Sequence, residues 1–340
     1  MKLAAQIAFA LGIALMVVLV VREGGPAILT LLAGAGWVLL LLVPLHALPI
    51  GLDVLGWRTL IERLTRSPRL PRLFWIATVR EAVNQLLPVA SIGGEIVGIG
   101  LLASRGVEGT MAAGSVVVEV LLTLVSQYLF VTLGVVLVLK ATHGTEALDG
   151  LVLGLAIALA AIATLVALLR YGSVFERLEH WVERMIGVSR GLLAGRELEP
   201  SSERDSSGPL GGQRLDVAIR ELCAARGSLA ITVFWQLSGF IAGSLEVFLA
   251  LRWLGHPIDF DASIALESLT LAVRQFAFLI PAGLGVQEVS LIGFGSLFGL
   301  PPDVSVTLSL VKRMREILFG VPALASWQWA QGWRGLARKT

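Results

Sequence analysis

Residues 281–288 read PAGLGVQE, and residues 88–95 read PVASIGGE. Both octets run from proline to glutamate with two glycines between, and each lies in the middle of an apolar region, 262–300 and 74–104. Proline ends a helix and glycine frees the backbone, so each octet breaks the region that holds it. Each region therefore reads as a hairpin, either two tilted helices or two half-helices that re-enter. Non-helical backbone at membrane depth survives only where protein or a watery cavity satisfies it. The breaks at Pro88, Gly93, Gly94 and at Pro281, Gly283, Gly285 are accordingly expected to form two halves of one site.

That reading presupposes a lipid environment, and composition supplies it. Of 340 residues, 56% are hydrophobic and 15% charged, with a mean hydropathy of +0.81. Soluble domains carry about 25% charged residues, so the chain reads as a single integral membrane domain over 1–340. A bilayer core needs roughly 20 apolar residues per helix, and 3–21, 27–49, 111–139, 148–169, 228–251 and 304–330 qualify. The first is read as an uncleaved anchor, because VVREGGP after it offers no small-x-small cleavage site. A formal charge of +2 is too small to imply nucleic acid as partner. Cys223 is the sole cysteine and four histidines are scattered, which argues against a disulfide, a metal centre or a metal-type cofactor.

Lys and Arg in short loops orient the chain. Five arginines fall in 51–73 and nine in 170–227, whereas the alternate loops hold single cations such as Lys140 and Arg252. Both termini are thus expected on the cytoplasmic side, with 170–227 as a cytoplasmic loop. Within it, FERLEHWVERMIGV puts Phe175, Leu178, Trp181 and Met185 on one helical face. A polar linker is expected over 196–214, with a short amphipathic helix about 213–225.

Register links the halves. Pro88 to Glu95 and Pro281 to Glu288 are both seven residues; Arg80 precedes its proline by eight and Arg274 by seven. Twenty-four residues beyond Glu95 is Glu119, and twenty-four beyond Glu288 is Lys312. One extra span between the halves inverts the second. The fold class expected is an all-α polytopic membrane protein, an inverted repeat with two broken or re-entrant hairpins.

Charges at membrane depth point to the site. Each costs about 2.5–3.5 kcal/mol at a helix centre, so they must face one another or water. In SLVKRMRE, Lys312, Arg315 and Glu316 share one helical face and Arg313 flanks it. Three cations so placed suit an anionic headgroup, or else neutralise Glu288, Glu119 or Glu267. Glu95 and Glu288 begin returning helices, where the helix dipole favours a carboxylate. Pairs Arg80–Glu95 and Arg274–Glu288 are expected across the hairpins. No catalytic residue emerges: an HExxH motif is absent, and no histidine is expected near the charged group.

The sequence PVASIGGE, Arg105-Gly106, IPAGLGVQE and the final basic span together resemble a known family. It is the flippase-like membrane domain shared with lysylphosphatidylglycerol synthases, and the likeness is strongest to its hopanoid-biosynthesis-associated branch, over roughly 5–330. Family members carry arginine-glutamate at the end of the second octet; here Gln287 precedes Glu288, so no arginine role transfers there. The resemblance implies the lipid-translocating part without the synthases' soluble transferase domain. It further implies transport of hopanoids or hopanoid-bearing lipids in a bacterial inner membrane, with hopanoid-biosynthesis enzymes as partners. The alternatives are an intramembrane lipid-modifying transferase, with Glu95 or Glu288 as base, and a non-transporting scaffold for those enzymes.

Overall fold

The structure is a computed structural model that describes residues 21, 25–87, 93–142, 209–276 and 285–337. Residues 3–20 of the first expected span, the span expected at 148–169, the surface helix at 175–188, and Pro88, Pro281 and Gly283 lie outside the described residues. Among the described residues every regular element is helical. The chain is an all-α polytopic membrane protein.

It begins with α1 (Gly25–Ala35), a 3-10 stretch (Gly36–Leu41), a single turn α2 (Leu42–Leu45) and α3 (Ala47–Leu64). Together these give a helical run, Pro26–Leu64, long and apolar enough to cross a membrane. The sequence suggested a span ending at 49 and then a loop; the helix instead continues to Leu64. The cause is a buried stripe at helical spacing, Ile50, Val54, Trp57, Leu60 and Ile61. The arginines that suggested a loop are accommodated on the other side. Arg58 pairs with Glu62 one turn on at 2.6 Å, and Arg63 donates from Nε to Ser228 Oγ at 2.7 Å.

The first hairpin is α4 (Leu70–Leu86) and α5 (Gly93–Ala103), followed by the span α6 (Gly109–Thr142). Then come α7 (Pro209–Ala224), the span α8 (Arg226–Trp253), the second hairpin α9 (Phe260–Phe276) and α10 (Val286–Gly295), a 3-10 turn (Ser296–Phe298), and α11 (Pro302–Ala337). Helix α7 starts inside the segment expected to be linker, with Pro209 at its first position, where a missing N–H costs nothing.

The hairpin arms are short. Seventeen residues in α4 and α9 reach about 26 Å at 1.5 Å per residue, and the 11 and 10 residues of α5 and α10 only about 16 Å. All fall below a hydrocarbon core of about 30 Å. The glycines let the arms close: a Cβ on Gly94 would strike the Arg80 carbonyl and Asn84, and one on Gly98 would strike the Arg80 side chain. At the other break Gly285, with φ +81°, supplies the left-handed residue from which α10 starts.

Helix α3 lies along α8, α4 packs on α11, and α9 packs on α6. Two apolar clusters form. One joins Trp57, Leu60, Ile76, Leu102 and Val116 with Trp327; the other joins Leu42, Val247, Leu251, Leu266 and Leu291 with Leu308. On the α2–α3 run, α8 and α11 the polar segment falls between the stretches that feed these clusters. The arginine-bearing ends gather together: Arg214 meets Glu108 at 3.3 Å, and Trp75 Nε1 donates to Ser326 Oγ at 2.9 Å.

Candidate functional site

Between the apolar clusters lies a cavity of about 570 Å³. Its polar lining comes in helical stripes: His46 and Asp53 from the α2–α3 run; Arg80, Glu81, Asn84 and Gln85 from α4; Glu119, Thr123 and Gln127 from α6; Gln236 and Glu246 from α8. Glu95 of α5, Glu267 and Arg274 of α9, and Lys312, Arg315 and Glu316 of α11 complete it. The sequence expected the charges of both halves to face one space, and these residues do line one cavity.

The first-half group is built around Arg80, which is buried. Its Nη2 donates to Glu95 and, at 2.7 Å, to Glu119. The guanidinium also lies over the Trp57 ring, 4.5 Å from its centroid. Asn84 accepts the N–H of Gly94 at 2.8 Å and donates to Glu95 at 3.2 Å. It thereby satisfies one of the free N–H groups at the start of α5. The Arg80–Glu95 pair expected from spacing is present, with Glu119 as a second anion.

The second half is wired differently. Arg274 Nη1 donates to Gln287 Oε1 at 3.0 Å, not to Glu288. Gln287 occupies the facing position and passes the chain on to Ser309 at 2.9 Å; Ser309 donates to Glu288 at 2.8 Å. Glu288 turns toward α11, where Arg313 stands at 3.7 Å. Lys312 donates to both Glu267 oxygens at 2.7 and 2.5 Å. Arg313 pairs with Glu316 at 2.9 Å, and Arg315 pairs with Glu246 and lies 3.9 Å from Glu316. Lys312, Arg313 and Arg315 thus each meet a carboxylate. Arg274 is the lining cation with no carboxylate within 4 Å among the described residues; its charge acts on Glu316 of α11 from farther off.

Two ionisable groups in the cavity were not anticipated. Asp53 falls beyond the span expected to end at 49, among the five arginines of 51–73 that point to a loop. His46 is one of four scattered histidines in the sequence, yet its Nε2 stands 2.8 Å from Glu81 and its Nδ1 2.9 Å from Glu246. A histidine therefore does stand in the charged group, correcting the reading that none does. Extending the 3.6-residue register through Pro49 would have put His46, Asp53 and Trp57 on one face. Its partner 200 residues away leaves no local trace. Carboxylates in the lining outnumber Lys and Arg, seven to four.

The family model for the lysylphosphatidylglycerol synthase TM region matches residues 5–323. No curated protein and no solved structure matches.

Proposed function

The chain belongs to the lysylphosphatidylglycerol synthase TM region family, and from that premise we propose that it moves lipid across the membrane, taking the headgroup into the charged cavity while the apolar body stays in the bilayer. The observation that carries this reading is the cavity itself. Helices from both halves spend buried charge on it, and charge facing hydrocarbon instead would cost about 2.5–3.5 kcal/mol per group. The paired cations of α11 make the empty cavity tolerable. Arg274, and the Nε atoms of Arg80 and Arg315 that lack partners among the described residues, are donors left for a headgroup.

The halves act as an inverted repeat in this reading. Its support is reciprocal packing: the first hairpin's α4 lies on the last span α11, the second hairpin's α9 lies on α6, and α3 and α8 meet each other. A pseudo-twofold axis generates such exchanged contacts. The substrate class we assign is hopanoids or hopanoid-bearing lipids of a bacterial inner membrane, following the likeness of the octets, with both termini cytoplasmic. No chemical step is assigned. Both His46 nitrogens are occupied by carboxylates, so the ring offers no free base.

The test is purified protein in liposomes holding a headgroup-labelled fluorescent lipid, with a membrane-impermeant quencher added outside. Protein-dependent quenching of inner-leaflet probe supports the reading. Inner-leaflet probe that stays protected in vesicles of intact, folded protein refutes it.

A further inference from the structure

The contacts of His46 need one more proton than a neutral ring with two carboxylates can supply. Glu81 Oε1 already accepts from Gln85 Nε2 at 2.7 Å, on the amide orientation that gives Gln85 its partner. With its carboxylate ionised, Glu81 accepts from His46 Nε2–H as well, at 2.8 Å. On the other side Glu246 Oε2 accepts from Arg315 while Oε1 faces His46 Nδ1 at 2.9 Å. An arginine on one oxygen keeps that carboxylate an acceptor, so the second ring nitrogen must also carry hydrogen. A neutral imidazole has one N–H; only the imidazolium has two.

We propose that Glu81, His46 and Glu246 form a proton-binding site that couples lipid movement to a proton gradient; this rests on the lipid-transport reading above. The trio joins the halves, since His46 and Glu81 lie before the long 143–208 segment and Glu246 after it. The side chains of His46 and Glu246 are 9% and 4% exposed, whereas Glu81 is 25% exposed toward the cavity, which gives the proton a route. Other charged groups facing the trio are Arg315 and Glu316 from α11 and Asp53 two turns along α3. The Phe319 ring packs edge-on against the imidazole at 5.1 Å. Removing the proton leaves a nitrogen lone pair against an oxygen lone pair across one contact. An unmade buried hydrogen bond of this kind is unfavourable, so deprotonation loosens α4 from α8 and α11 and lets the halves part.

Two measurements test this. The first needs no transport: ¹⁵N-histidine NMR of the whole protein in nanodiscs, with the His46 signals assigned by His46→Gln. The site predicts a ring protonated on both nitrogens that loses one proton as pH rises. It also predicts a singly protonated ring in Glu81→Gln, whose amide can donate to the bare nitrogen. A wild-type ring singly protonated from about pH 5 to about pH 9 overturns the proposal. The second is lipid movement in liposomes under an imposed pH gradient. Wild type should respond to the gradient, and Glu81→Gln should give the same rate with the gradient as without it. Wild type moving lipid at a rate indifferent to the gradient overturns the coupling and leaves the lipid reading standing. A doubly protonated ring in a protein that moves no lipid sinks the lipid reading and, with it, the coupling, but not the proton site.

Discussion

Arg315 and Arg274 face the same cavity from neighbouring helices, yet their surroundings predict opposite consequences of losing the charge. Arg315→Gln takes the arginine from Glu246, a carboxylate 4% exposed, and leaves it His46 alone. Breaking one side of a buried pair costs about 3–5 kcal/mol, so thermal unfolding in detergent should shift down strongly, and Arg315→Gln with Glu246→Gln should recover part of the loss. Arg274→Gln removes a hydrogen bond to another amide, a loss of about 0.5–1.5 kcal/mol, and should leave unfolding nearly unchanged while lipid movement falls. Wild-type transport by a folded Arg274→Gln protein would remove this residue from the headgroup site. At this scale the sequence was informative where a pair lies within one hairpin. Arg80 and Glu95 are 15 residues apart, and spacing alone brought them together. The Arg274–Glu288 expectation failed because the adjacent Gln287 took the arginine. The anionic-headgroup reading of Lys312, Arg313 and Arg315 requires those cations to leave Glu267, Glu316 and Glu246. That exchange is set by three-dimensional neighbours that the sequence could not rank.

The reciprocal packing of hairpins on spans is the element-level claim, and small residues at both contacts make it testable. A Cβ on Gly320 of α11 would lie 3.3 Å from the Ala82 Cβ of α4; one on Gly134 of α6 would lie 2.8 Å from the Ser268 Cβ of α9. Disulfides bridge Cβ atoms about 3.5–4.5 Å apart, so both pairs are within reach once the helices ease apart, by several tenths of an ångström at Gly134. Ala82→Cys with Gly320→Cys, and Gly134→Cys with Ser268→Cys, each in a Cys223→Ser background, should therefore crosslink on mild oxidation. Failure of either pair while the other forms would break the symmetry of the arrangement. The breaks themselves were legible, because proline and glycine act through the local backbone. Helix α3 was not. Its arginines suggested a loop, and only burial against α4, α5 and α6 reveals that the stripe from Ile50 to Ile61 prolongs the helix.

For the whole molecule, the gathering of arginine-bearing ends at one pole predicts orientation. Ser104, at the turn between α5 and α6, and Asp259, before α9, are both exposed. In the Cys223→Ser background, an impermeant maleimide should label Ser104→Cys only from the cytoplasmic side and Asp259→Cys only from outside. The reverse pattern would turn the scheme over. Membrane class was legible from composition alone, since 15% charged residues suit no soluble domain of this size. The cavity was foreseen as a meeting of charges but not in its balance, because the excess of carboxylates depends on which helices turn inward. The most direct test of the central claim is a cryo-EM structure of the protein in nanodiscs made with hopanoid-bearing lipid. The account predicts headgroup density inside the cavity, within hydrogen-bond reach of Arg274 and the Arg80 group, with the apolar body leaving between helices. Lipid density confined to the outer belt, around a cavity filled by its own side chains, would contradict it.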